Sequence, residues 1–257
     1  MKQILLIFSL LLPLLVKNSY AFENSSKKDF LILNQKFLSF FTKKAPKHIK
    51  IIIYANWDIN YPAASTDRST DFHVTADHRP IEWNISVLSG YYKEPLGGKD
   101  VHILTLCHEM AHHMASKPYK TDREGNPRWA SMEAQSDYWA TKNCIPMFLD
   151  AYPEYLNIRK MTHPEIKRRC ARKFFKYSKN YKYCIYSAQA ALQMAKIHRK
   201  YRLPSEEVEN IVNPETPDQS QVRSLNRNSY PGNQCRFDTC FAGALKNERP
   251  SCWYPKR

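Results

Sequence analysis

His108, Glu109 and His112 are the residues whose types and spacing most directly imply chemistry. Two histidines four positions apart lie on one side of an α-helix, one turn apart, so both imidazoles can reach a single metal ion. Glu109 sits on the adjacent edge of that face, where it can take a proton from a water activated by the metal. Val101, Leu104, Cys107, Ala111 and Met114 give the same helix an apolar flank for burial. Catalytic zinc takes three protein ligands and leaves a fourth position open. An HExxHxxGxxH extension does not supply the third ligand, because Ala115 holds its glycine position and Pro118 its histidine position. A carboxylate on a later helix is the other common solution. Glu133 and Asp137 are four residues apart and share a helical face. Glu133 is the expected third ligand. Asp137 is expected to accept the other ring N–H of a ligand histidine and fix its tautomer.

These residues carry a resemblance. The run Cys107-His108-Glu109-Met110-Ala111-His112-His113, followed by Trp129-Ala130-Ser131-Met132-Glu133-Ala134-Gln135-Ser136-Asp137, resembles the HExxH…ExxxD core of gluzincin metallopeptidases. It is most similar to soluble relatives of the CAAX-prenyl protease and membrane heat-shock peptidase family, over about residues 81–144. The resemblance implies one catalytic Zn2+ on His108, His112 and Glu133, with Glu109 as general base. It also implies an extended peptide substrate paired with the strand ahead of the metal helix, Ile81–Leu88. A donor for the tetrahedral oxyanion is expected as well, with Tyr138, His163 and Tyr201 as candidates. His113, which abuts a ligand, and His102, His73 and His78 are expected to be structural or surface residues. The chain departs from the membrane members in having no transmembrane segment after its leader, and its C-terminal third lies outside the likeness. Two alternatives to a peptidase acting on proteins stay open: a zinc amidase or peptidase of cell-wall peptidoglycan, and a non-catalytic zinc-containing binding protein. Glu109 speaks against the last, since a structural site needs no base.

The N-terminus bears on where this chemistry takes place. Met1-Lys2-Gln3 is a short basic start, and Ile4 to Val16 is an uncharged, Leu/Ile-rich run of 13 residues. Small residues at Ser19 and Ala21 follow. This is the pattern of a secretory signal cut after Ala21, and the run is short for a bilayer that needs about 20 apolar residues. The expected organisation is a leader at 1–21, a metallopeptidase domain at 22–203, and a linker with a cysteine-containing extension at 204–257 packed on that domain. The destination is secreted or periplasmic. All seven cysteines follow the leader, consistent with an oxidising compartment, and an odd number leaves at least one unpaired within the chain. Cys107 directly precedes a ligand and Cys144 ends the second metal-bearing helix, so these two are the expected bridge.

The formal net charge is +15, and Ile166 to Ser205 holds twelve Lys or Arg with no Asp or Glu. Its densest part, residues 167–183, interleaves the cations with Phe174, Phe175, Tyr177, Tyr181 and Tyr183. A solvated helical face whose aromatics turn inward is the simpler reading. An anionic surface or polymer is the next one, and nucleic acid is not expected.

Periodicity gives the elements that must position the site. Helices are expected at about 24–42, 100–116, 129–143 (stopping before Pro146), 163–176 and 183–201. Strands are expected at 49–55, 70–76 and 81–87, the last alternating like a sheet-edge strand, with a loop at 60–69. The order predicts an α+β fold: a small mixed or antiparallel sheet on the HExxH helix and the second metal-bearing helix, then a helical, disulfide-stapled C-terminal part.

Overall fold

The computed structural model describes residues 26–69, 81–158, 162–201 and 212–256. The expected leader with its cut after Ala21, the expected strand at 70–76, His73 and His78 lie outside the described residues. The fold is α+β. The first helix, α1 (residues 26–42), buries Phe30, Leu33, Phe37 and Phe41 completely. Their spacing of three to four residues keeps them on one stripe facing the core.

Three strands form a mixed sheet in the order β1-β3-β2: β1 (Ile49–Asn56), β2 (Ala64–Ser69) and β3 (Ile81–Leu88). β1 runs parallel to β3, pairing Ile49 with Ile81 and Asn56 with Leu88, and β2 runs antiparallel to it, pairing Ala64 with Val87 and Ser69 with Glu82. β3 is therefore the central strand, against the expectation of an edge. Its alternation is real, with Trp83, Ile85 and Val87 buried and Glu82, Asn84 and Ser86 half-buried. The pattern records a sheet covered on one face only, which any strand of it shows wherever it lies. The edge positions belong to β1 and to β2, the latter in a segment whose Ser, Thr, Asp and Arg content reads as loop.

The short α2 (Gly90–Lys93) leads into α3 (Lys99–Met114). Gly98 enters α3 with φ of 119°, a backbone conformation that needs glycine. Every residue of α3 from Asp100 to His112 is buried, as in a helix enclosed on all sides. A hairpin of β4 (Tyr119–Thr121) and β5 (Pro127–Ser131) follows, so Trp129 to Ser131 are strand rather than the start of a helix. α4 (Glu133–Trp139) runs through a π-helical turn (Ala140–Cys144) into α5 (Ile145–Ala151). Pro146 does not end the helix as expected. The π turn widens the ladder just before it, with the Ile145 N–H reaching the Ala140 carbonyl, so the missing proline N–H falls at a junction between registers.

α6 (Pro164–Lys173) and α7 (Lys179–Tyr201) form a hairpin, and α8 (Asn233–Ala244) packs on α7, α4 and the π turn. α8 comes so close that a methyl group at Gly243 would collide with the Tyr138 carbonyl and the Thr141 hydroxyl. Cys107 is joined to Cys144, Cys170 to Cys184 and Cys235 to Cys252, while Cys240 is a buried free thiol. The first bridge ties α3 to the π turn with Cα atoms 5.6 Å apart. Along 167–183 the aromatics divide: Tyr181 and Tyr183 face the core, while Phe175 and Tyr177 are exposed. No described helix is long and apolar enough to cross a membrane.

Candidate metal centre

α3 carries His108 and His112 one turn apart, and α4 begins at Glu133, directly opposite them. The Glu133 Oε2 atom lies 3.1 Å from His108 Nε2 and 3.6 Å from His112 Nε2. The three potential ligand atoms fall within 4.8 Å of one another, and all three residues are buried. This group could hold a metal ion. Both Nε2 atoms face the carboxylate, while both Nδ1 atoms are held from behind. His108 Nδ1 donates to Asp137 Oδ1 at 2.7 Å, and His112 Nδ1 donates to the Ser131 carbonyl at 2.8 Å. Such outer partners fix tautomer and ring angle and raise ligand basicity. Two imidazoles, each with its spare N–H satisfied, and one carboxylate fit a divalent cation that accepts nitrogen and oxygen ligands.

Two cations complete the arrangement. Arg236 on α8 grips Asp137 with both arms, Nε to Oδ2 at 2.8 Å and Nη2 to Oδ1 at 2.9 Å. Lys120 on β4 bonds the other oxygen of Glu133, Nζ to Oε1 at 2.5 Å. Against the cost of burial, Arg236 and His108 hold the Asp137 carboxyl well below the usual carboxylate range, and His108, His112 and Lys120 do the same for Glu133. Burial works against a charge on His108, but Asp137 and then Glu133 outweigh it and lift its pKa to about 10. His112 is pushed down to about 4 by burial and by the neighbouring His108. Burial pushes Glu109 up to about 7, with Glu133 adding to the rise and His108 opposing it.

The group opens on a cleft of 940 Å³. One wall is the stretch from Tyr61 to Arg68, which includes most of β2; another is Lys120 with Arg128 to Ala130. Tyr91, His198, Tyr201 and Tyr230 line the remainder. Glu109 lines this cleft beside the three candidate ligands.

None of the three expected oxyanion donors is placed for that task. The Tyr138 hydroxyl donates to the Asn247 carbonyl and takes a bond from Lys142. His163 caps α6 by accepting from the Glu165 N–H. Tyr201 reaches the cleft, but its hydroxyl is bound to Glu94. The cleft also holds Tyr230, whose hydroxyl is kept protonated above the usual phenol range by partial burial and by the charge of Glu133, to which it hydrogen-bonds. Tyr91 is there too, its hydroxyl 2.7 Å from His198 Nε2. Sequence reasoning missed Tyr230 and Arg236 because both belong to the polar, cysteine-bearing C-terminal part, about a hundred residues after the ligands. An arginine six positions past an isolated tyrosine carries no local signal.

His102 and His113 have structural partners. His102 packs on Phe30 and Tyr92, and burial lowers its pKa to about 3. His113 is stacked between Trp83 and Trp129, with ring centroids 4.7 Å away on each side. Its Nε2 lies 2.6 Å from the Thr66 hydroxyl of β2. The chain matches no protein-family model, no curated protein and no solved structure. The reading of the site therefore rests on its own geometry.

Proposed function

We propose that this protein is a secreted or periplasmic zinc endopeptidase. The observation that carries the reading is the convergence of His108, His112 and Glu133 within 4.8 Å, with Glu109 beside them on an open cleft. A purely structural site has no use for the buried carboxyl of Glu109 or for a groove leading to it. When bound, the zinc would supply Lewis acidity for a scissile carbonyl and for an attacking water. Glu109 takes the water proton and delivers it to the departing amine, a role that its buried place on the cleft beside the three candidate ligands suits. Tyr230, protonated and lining the cleft, would donate to charge developing on the carbonyl oxygen once its bond to Glu133 is released. An extended peptide lies along the outer edge of β2, whose backbone pairs only with β3 among the described residues. β3 cannot take that role, because both its edges are already paired.

Three disulfides support an oxidising destination, and the leader-like N-terminus agrees. The basic segment at 167–183, with Phe175 and Tyr177 exposed, supports docking on an anionic surface or polymer. It also keeps hydrolysis of peptidoglycan peptides as the second reading. The deciding experiment digests mixed peptides and purified wall material with the mature, metal-analysed protein, reading products by mass spectrometry. About one zinc per chain is expected, and Glu109→Gln should keep the metal while losing hydrolysis by about three orders of magnitude or more. Full activity in that variant removes Glu109 from the mechanism.

A further inference from the structure

Arg68 is the fifth residue of β2, and its side chain lies on the covered face of the sheet, across from Trp83. Its guanidinium carbon sits 5.5 Å from the Trp83 ring centroid and 5.2 Å from that of Trp129. These two indoles also clamp His113, so the arginine rests on a rigid stack continuous with the ligand-bearing helix. Arg68 lines the cleft. Its Nε is buried without a hydrogen-bond partner. Among the described residues no carboxylate lies within ion-pair distance of it.

The acids of the same cleft are otherwise engaged. Asp67 accepts from Asn84, and Asp122 accepts from the Asn126 backbone and side chain. Glu133 is bound by Lys120 and His108, and Glu109 is the base. A half-buried guanidinium is costly to hold without a counter-ion, and the described residues supply none. Its planar donor fork matches a carboxylate bidentately. The cleft thus holds a pre-positioned cation, on the strand along which a peptide would pair, with its Nε donor unmet among the described residues.

We infer that Arg68, seated on Trp83 and Trp129, is a specificity-determining residue that selects a carboxylate on the substrate. The carboxylate belongs to a Glu or Asp side chain or to a free C-terminus. This inference rests on the peptidase reading, since it assumes a peptide along β2. Of the two sources, a side chain suits β2 pairing better, because alternate residues of an added strand point to the face that Arg68 occupies.

The test uses the mature Glu109→Gln protein loaded with zinc, which should hold peptides without cleaving them, and follows tryptophan fluorescence during titration. Peptide pairs differ only by Glu against Gln at each position in turn; one further pair differs by a free against an amidated C-terminus. At one position the acidic peptide should bind about tenfold more tightly or better, as a charge-assisted bond to a buried donor predicts. Arg68→Gln should level that ratio, and Arg68→Glu should invert it in favour of a Lys peptide, which loss of packing alone would not produce. A response confined to the C-terminal pair supports the inference with the terminus as the source. Equal binding within every pair, no peptide binding, or a ratio unchanged by Arg68→Gln overturns it. A parallel digest with the unmodified protein separates the two ideas: absence of all cleavage sinks the peptidase reading, while cleavage indifferent to acidic residues sinks only the role of Arg68.

Discussion

Glu109 illustrates how a carboxyl group is held in a buried place at a cost to the fold. Burial lifts its pKa from 4.5 to about 7, so the folded protein binds this proton more tightly than the unfolded chain does. Stability on this account is highest below pH 4.5, falls as the pH rises toward 7, and stays lower above it. Glu109→Gln removes the titration. In chelator-treated protein, the variant should match the parent at acid pH and exceed it by up to about 3 kcal/mol near pH 8. Denaturant melts at several pH values check this; a variant less stable than the parent at pH 8 would show that the carboxylate is stabilised by its surroundings instead. At the same scale, Glu133 and Asp137 divide their labour. Glu133 faces both imidazoles, whereas Asp137 stands behind His108 in the grip of Arg236. Glu133→Ala should therefore weaken zinc more than Asp137→Ala. Arg236→Met, which frees Asp137, should cost about 10- to 100-fold in affinity. A metal titration that ranks them in reverse would exchange the roles.

Elements decide whether these side chains meet. α3 and the turn after α4 are joined by the Cys107–Cys144 bridge, closing a loop that includes the β4–β5 hairpin and Glu133. Removing it with Cys107→Ser and Cys144→Ser together should cost about 2–4 kcal/mol of stability. The loss should be larger without metal, because the ion otherwise holds the same two helices. Thermal melts with and without chelator measure it; an unchanged melting temperature in both would mean that packing alone sets the helix pair. What could be read from the sequence follows the range of the interaction. HExxH and ExxxD are spacings within single helices, so His108, His112, Glu133 and Asp137 were identifiable from periodicity, and the amphipathic stripe of α1 likewise. β2 was not, because an edge strand that faces solvent and a cleft carries Ser, Thr, Asp and Arg, which read as loop. The direction of β1 against β3 and the continuity of α4 through the π turn depend on tertiary packing, which no local pattern records. Tyr230 and Arg236 are hidden for the same reason: α8 delivers Arg236 to Asp137 across 99 residues, and only the close approach at Gly243 makes that docking possible.

At the scale of the molecule, the chain separates a mixed-charge cleft from a basic end. The α6–α7 junction projects Phe175, 87% exposed, and Tyr177, 70% exposed, between Lys173, Lys176 and Lys179. These two rings, separated by one residue in sequence, are the most exposed of the large hydrophobic side chains among the described residues. Rings flanked by lysines suit the boundary of an anionic membrane, where each cation near the surface contributes about 1 kcal/mol and an aromatic ring sits at headgroup level. The mature protein should co-sediment with phosphatidylglycerol vesicles, fail to do so with neutral phosphatidylcholine vesicles, and be released as salt screens the attraction. Phe175→Ser combined with Tyr177→Ser should weaken this binding without lowering the melting temperature, because neither ring belongs to the core. Truncation of core-facing Tyr181 or Tyr183 should do the opposite. Binding that is equal on neutral vesicles, or indifferent to the double serine variant, would reduce the basic segment to a solvated helical face.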